Sequence, residues 1–294
     1  MRTLIIKLEG DSFEKFINEC FVKNGVKVVS IESIVKGKVR LLKIINILKS
    51  LKMIRKQMSV DKVIVFDDMI LYIFTTFFFK NTFLWLWNTT PKKTIFFIKL
   101  YICKLLGCVY SFDTDDCVKY GLKENSQFMF SPNYYDDNIC YDLYFVGIDK
   151  NRYEILESIY EFCNNKKINA LFQLVPDNEK QEYNKSIIVD RFIDYKEVLH
   201  NVASSRAILD ISKKGQSGPT YRVMEAIFFN KKIVTNNKNY IKLPYYSPDK
   251  IFIINSEEKN YDGLDKFILS ENIEYDKNIK EYYSIKCWLM RFNI

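Results

Sequence analysis

The feature that most constrains this chain is a repeated alternation of short apolar runs with longer amphipathic ones. RTLIIKL (2–8), VKVVSI (26–31), DKVIVF (61–66), TFLWLW (82–87) and CVYSF (108–112) are rich in β-branched and aromatic residues. Near-continuous apolar runs of this length mark strands covered on both faces, and helix-length segments fill the gaps between them. Strands that alternate with helices predict a parallel sheet. The pattern restarts after the turn-rich SPNYYDDN (131–138). YDLYFVG (141–147), INALFQLV (168–175), SIIVDRF (186–192), RAILDIS (206–212), KKIVTN (231–236) and IFIIN (251–255) read as strands, with helices over about 151–165 and 194–205. The expected architecture is α/β, with two Rossmann-like domains facing a cleft. They span 1–135 and 139–275, and a helical tail covers 276–294. Ligands of such open sheets lie beyond the carboxyl ends of the strands.

Composition narrows the classes of function. The seven cysteines are scattered without a CxxC pair, and there is a single histidine, His200. This argues for reduced thiols and against a disulfide framework or a His-based metal cluster. No signal-peptide pattern is visible, and the most apolar stretch, MILYIFTTFFF (69–79), is too short to span a bilayer. A cytoplasmic protein is expected, with no bound metal and no cofactor. The net charge is +8, and much of it falls in KVRLLKIINILKSLKMIRKQM (38–58). There Lys38, Lys49, Lys52 and Lys56 share one helical face. We expect Lys49, Lys52 and Lys56 to face an anionic membrane surface, with Leu41, Leu42, Ile45 and Leu48 packed on the core. Nucleic acid is not an expected partner, because no base-reading motif accompanies the charge.

Two loops carry the candidate chemistry. In KKGQSGPTYRVMEAIFFNKKIVTN (213–236), Gly215 and Gly218 suit a tight turn and Pro219 suits the first helical position. Arg222 and Glu225 follow at i, i+3, either as an intrahelical salt bridge or as part of an anion and sugar site at the positive end of a helix. In YDLYFVGIDKNRYEIL (141–156), Gly147 lets the backbone turn, and Lys150 and Arg152 lie where a diphosphate would approach a helix N-terminus. Lys150, Arg152 and Arg222 would then surround one anion, with Glu225 accepting hydrogen bonds from ribose hydroxyls.

GQSGPTYRVMEAIFFNKKIVTNN resembles the nucleotide-sugar-binding segment of GT-B glycosyltransferases, particularly bacterial enzymes that build lipopolysaccharide, O-antigen or capsule. FVGIDKNR is similar to the opening of the same family's C-terminal domain. The resemblance covers about residues 140–255, and the N-terminal half only in architecture. It implies transfer of a sugar from a UDP- or GDP-linked donor to a lipid-linked glycan acceptor, at the inner face of a membrane. The donor-binding residues it implies are Gly147, Lys150, Arg152, Gln216, Ser217, Gly218, Thr220, Arg222 and Glu225. Many relatives carry two glutamates seven residues apart; Glu225 matches the second, and Ser217 stands at the first. The stereochemical outcome is therefore open. Acceptor-side base candidates are Asp11 in LEGDS and Asp67 or Asp68 after VIVF, each of which could equally cap a helix. His200 is expected to be structural. A rival signal is FDTDD (112–116): Asp113 and Asp115 would hold a divalent metal in a GT-A enzyme, or Asp113 would cap a helix. A non-catalytic two-domain nucleotide- or sugar-binding module is the third reading.

Overall fold

The apolar runs form two parallel sheets, seen in a computed structural model that describes residues 2–8, 12–31, 40–91, 93–130, 138–177, 183–212, 216–255 and 258–292. The chain divides into two units, Met1–Ser126 with Ile285–Ile294, and Gln127–Ser284. The first contains β1 (Thr3–Leu8), α1 (Ser12–Lys23), β2 (Lys27–Ile31), α2 (Arg40–Gln57), β3 (Lys62–Phe66) and α3 (Met69–Thr76). It continues through β4 (Thr82–Leu86), α4 (Thr94–Leu106), β5 (Cys108–Ser111), α5 (Thr114–Tyr120) and β6 (Lys123–Glu124). The second contains β7 (Tyr141–Ile148), α6 (Tyr153–Asn165), β8 (Ala170–Val175), α7 (Tyr195–Ala203), β9 (Ser205–Asp210) and α8 (Tyr221–Phe228). β10 (Lys232–Thr235), β11 (Ile251–Ile253), α9 (Leu264–Leu269) and α10 (Lys277–Tyr282) complete it, and α11 (Ile285–Met290) returns to the first unit.

The first sheet runs β2-β1-β3-β4-β5-β6 and the second β8-β7-β9-β10-β11. Every strand pair in both is parallel. The two orders share one rule: the opening strand is flanked by the second and the third. The connections therefore reverse direction there, and each sheet has a switch point, between β1 and β3 and between β7 and β9. Right-handed crossovers then set α1 on one face of the first sheet and α2, α3 and α4 on the other. The cores agree. Ile47, Leu51 and Ile54 of α2, Tyr72 of α3, and Leu100 and Cys103 of α4 pack with Leu4, Ile6, Val63, Val65 and Leu84. The opposite face is aromatic: Trp288 of α11 meets Phe66, Trp85 and Phe21 of α1, and Phe21 meets Phe66, at ring separations of 5.6–6.1 Å. Full burial of one such side chain contributes roughly 1.5–3 kcal/mol.

Several expectations are corrected. SIIVDRF is not a strand. A single bridge joins Ile188 to Leu174 at the edge of β8, because Ile187 is buried while Arg191 and Phe192 point to solvent. Residues 276–294 are not one tail, since α10 stays with the second unit and α11 packs in the first. The first unit's boundary falls at Ser126, ahead of the SPNYYDDN turn, of which 131–137 lie outside the described residues. On α2 the buried stripe is Ile47, Leu51 and Ile54, while Ile45, expected in the core, is exposed and Leu48 is half-buried. Lys49, Lys52 and Lys56 are exposed. The side chains of Leu41 and Leu42, and all of Lys38, lie outside the described residues.

Candidate functional site

At the switch point of the second unit, β7 and β9 end side by side, and the loops that leave them hold most of the candidate residues. Gly147 is not in a turn; it lies inside β7. Its missing side chain makes room for Arg152, since a Cβ at this position would stand 2.9 Å from Arg152 Nη2. The tight turn comes afterwards, where Lys150 and Asn151 take left-handed backbone angles, φ 48° and 60°. Arg152 folds back over the strand ends. Its Nε donates to the Asp149 carbonyl at 3.0 Å and its Nη1 to the Ile211 carbonyl at 2.8 Å, with Nη2 donating to the Ile148 carbonyl. The guanidinium therefore ties β7 to the residue after β9, stacked 5.4 Å from the Phe145 ring. Desolvation lowers its pKa, opposed by the charges of Asp210, Asp149 and Asp177.

The N-terminus of α6 is already occupied. Asp149 Oδ1 accepts from the backbone N–H groups of Arg152 and Tyr153, both at 2.8 Å, and Oδ2 accepts from Tyr183 Oη at 2.9 Å. A carboxylate thus fills the place expected for the donor diphosphate. Lys150 stays exposed, its backbone N–H donating to Asp177 Oδ2 at 2.9 Å.

The second loop is organised from below by Asp210, the last residue of β9. Its Oδ1 accepts from Thr220 Oγ1 at 2.7 Å and its Oδ2 from Tyr240 Oη at 2.6 Å. Desolvation raises the Asp210 pKa, and these two hydroxyls oppose the rise. Thr220 Oγ1 accepts from the Arg222 N–H at 3.1 Å, so Thr220 is the N-cap of α8. Pro219 precedes the cap and is not the first helical residue. Asn237 Nδ2 donates to the carbonyls of Gln216 and Ser217 at 3.4 and 3.2 Å, and Gln216 Nε2 donates to the Gly218 carbonyl at 3.1 Å. Gly215 lies outside the described residues.

Glu225 is 0% exposed. Its Oε1 accepts from Tyr195 Oη at 2.8 Å, and its Oε2 stands 2.6 Å from Arg222 Nη1. The bland alternative, an intrahelical ion pair, is therefore present. A ribose has no open carboxylate surface to reach here, so Glu225 positions Arg222. Burial pushes its carboxyl up to about 7, with the Arg222 charge only partly opposing the rise; the guanidinium keeps its charge. Arg222 differs from Arg152. Its side chain is 20% exposed, and Nη1 has no aligned hydrogen-bond acceptor despite the close carboxylate. Nη1 itself is buried against Glu225, so only the rest of the Arg222 side chain is open to solvent.

The acceptor-side candidates separate. Asp11 lies outside the described residues. Asp68 caps α3, its Oδ1 accepting from the Leu71 N–H at 2.8 Å. Asp67 closes β3 at the first unit's switch point, with left-handed φ 52°. Its carboxylate accepts from the N–H groups of Trp87 and Asn88 and from Asn88 Nδ2, at 2.6, 3.3 and 2.8 Å. Desolvation pushes its carboxyl up to about 6, and the hydrogen bonds from Trp87 and Asn88 oppose the rise. Asp113 caps α5, accepting from the Asp116 N–H at 3.1 Å. Among the described residues no group of three or more His, Cys, Asp and Glu is placed to hold a metal ion. His200 is exposed on α7.

Sequence reasoning missed Asp149, Tyr195, Asp210, Asn237 and Tyr240. The two aspartates carried a signal, a carboxylate closing an apolar strand. The tyrosines and the asparagine carried none, because their partners are 20 to 30 residues away.

No protein-family profile matches the chain, and no curated protein matches its sequence. Solved structures do. Anabaena HepE, in complex with UDP and glucose, superposes with a TM-score of 0.62 at 10% identity, over 99% of this chain and 98% of that one. The UDP-GlcNAc 2-epimerase from Methanocaldococcus jannaschii gives 0.55 at 11% over 100% of each chain. An alpha-glucosyltransferase in complex with UDP and a 13-mer DNA gives 0.54 at 12%, over 99% of this chain and 92% of that one. At such identities the likeness is one of fold. The chain has the GT-B fold, which sugar-nucleotide glycosyltransferases share with UDP-GlcNAc 2-epimerases.

Proposed function

We propose that this protein is a glycosyltransferase that takes a sugar from a UDP- or GDP-linked donor and adds it to a lipid-linked glycan during surface-polysaccharide assembly. The observation that carries the reading is Arg222: a cationic side chain 20% exposed, held by buried Glu225 in the helix that follows β9. Arg222 contacts the diphosphate, and its fork suits two phosphate oxygens. Lys150 supplies a second, mobile charge. Gln216, Ser217, Gly218 and Thr220 form the wall that Asn237 and Asp210 hold in place, while Gly147 and Arg152 brace the strand ends. The fold shared with HepE, solved with UDP and glucose, supports a nucleotide-sugar donor.

In the reaction the acceptor hydroxyl attacks the anomeric carbon, the glycosidic oxygen leaves with the nucleoside diphosphate, and the developing phosphate charge is met by Arg222. Asp67 is the acceptor-side carboxylate we assign, since it stands at the first unit's switch point and its pKa is raised toward the working range of a general base. Lys49, Lys52 and Lys56 face the anionic membrane that holds the acceptor.

A thermal-shift screen of nucleotides and nucleotide sugars tests donor binding, because a ligand bound only by the native state raises its midpoint. UDP- or GDP-sugars are expected to raise it. Release of free nucleoside diphosphate on adding glycan acceptor identifies transfer, whereas a donor converted to its epimer without that release identifies an epimerase. Asp67→Asn should lower transfer by about a hundredfold or more and leave nucleotide affinity unchanged. Unchanged turnover would remove Asp67 from the reaction.

A further inference from the structure

Helix α4, TIFFIKLYICKLL, is apolar on both sides. Leu100 and Cys103 are buried against the sheet. On the opposite side, Ile95, Ile98, Ile102 and Leu105 recur at spacings of three, four and three residues, so they form one outward stripe. Their exposures are 64%, 57%, 40% and 69%. Tyr101 and Leu106 flank the stripe and are also exposed. The outer side of a surface helix in a soluble domain is ordinarily polar, and an apolar stripe along the whole of a helix marks a surface that something covers.

Charge decides between the possible occupants. The crossover rule puts α2, α3 and α4 in one layer on the same face of the first sheet. Their described side chains include Lys49, Lys52, Arg55, Lys56, Lys99 and Lys104, and the three helices contain no aspartate or glutamate. A second copy seated here by two-fold symmetry would set this basic layer against itself. An anionic phospholipid surface complements both properties, since its headgroups meet the lysines and its acyl boundary takes the stripe. No described helix is long and apolar enough to cross a membrane, and α4 has only 13 residues; it is suited to lying in the interface plane.

We infer that α4 seats the first unit on anionic bilayers, its Ile95–Leu105 stripe entering the acyl boundary and the lysines of the same layer meeting the headgroups. This goes beyond the lysine-face contact proposed above, because it requires apolar insertion, and it does not depend on the identity of the donor.

Co-sedimentation with vesicles of phosphatidylglycerol and phosphatidylcholine tests it. The parent protein should bind at low salt. A fraction should stay bound at about 1 M salt, where the Debye length is about 3 Å and attraction between exposed charges is screened. Ile98→Glu with Ile102→Glu should lower the bound fraction more than about tenfold at both salt concentrations. Ile98→Ser with Ile102→Ser, a milder change on the same exposed stripe, decides the matter if circular dichroism shows that the glutamate variant is unfolded. UDP affinity on the same preparations should be unchanged, since α4 belongs to the first unit and the donor residues to the second. Absence of binding by the parent, its complete loss in high salt, or unchanged binding by folded stripe variants would overturn the inference. So would a parent dimer in light scattering that the stripe variants disperse without any vesicle binding, which would make the stripe a contact between copies.

Discussion

Arg222 and Glu225 show how burial changes a residue's role. On the sequence they are a charged pair at i, i+3; in the structure Glu225 is sealed and Arg222 is left partly open. Breaking a buried pair by removing one partner costs about 3–5 kcal/mol, so Glu225→Gln, which keeps the shape and an acceptor for Tyr195, is the informative variant. Its pH dependence has a definite sign. Burial pushes the Glu225 carboxyl up to about 7 in the folded chain, from the ordinary 4.5. Between those values the native state holds a proton that the unfolded chain has lost. This stabilisation is therefore full below about pH 4.5 and fades as pH rises through about 7. The thermal midpoint of the parent, relative to Glu225→Gln, should fall between about pH 5 and about pH 8. A flat difference would mean that the carboxylate is ionised throughout. Gly147 and Arg152 give a second residue-scale test. Gly147→Ala should cost about 1–3 kcal/mol because the new methyl displaces a guanidinium pinned by three carbonyls. In an Arg152→Ala background most of that cost should vanish, and denaturant unfolding of the full cycle measures the coupling. Additive losses would show that Gly147 matters for some other reason.

At the scale of elements, what could be read from sequence followed the local physics. Strands β1, β3 to β5 and β7 to β11 were legible because each is a run apolar enough to be covered on both faces, and β2, half-exposed at the sheet edge, by its β-branched residues. β6, with only Lys123 and Glu124, carries no such pattern. SIIVDRF shows the reverse error: its apolar start was legible, but only pairing with β8 decides whether it becomes a strand, and one bridge forms. The start of α8 was read at Pro219, and the hydrogen bond accepted by the Thr220 hydroxyl sets it at Tyr221 instead. At the N-terminus of α6 the chain's own Asp149 takes the N–H groups that the sequence reading assigns to a diphosphate. Asp149→Ala should cost about 0.5–2 kcal/mol of stability through lost capping. Because it also frees that helix end, nucleoside diphosphate affinity should not fall; a fall measured by calorimetry would place Asp149 in the donor site itself.

At the scale of the whole molecule, the balance of +8 does not translate directly into a basic surface. Lys62 is buried and donates to the carbonyls of Leu289 and Phe292 at 3.0 and 2.6 Å, and Lys232 donates to those of Phe267, Ile268 and Ser270. These lysines satisfy carbonyls near the ends of α11 and α9. The return of α11 to the first unit rests on long-range packing of Trp288 with Phe21, Phe66 and Trp85, which no local pattern announces. The central claim is that the second unit binds a nucleoside diphosphate through Arg222. Calorimetric titration of the parent and of Arg222→Lys with UDP, GDP and the corresponding nucleosides tests it most directly. The parent should bind at least one diphosphate more tightly than its nucleoside. The lysine variant should lose about 1.5–3 kcal/mol of that diphosphate's affinity, with little change for the nucleoside, because a point charge replaces a planar fork. No binding of either diphosphate by the parent, or equal losses for diphosphate and nucleoside, would contradict the account.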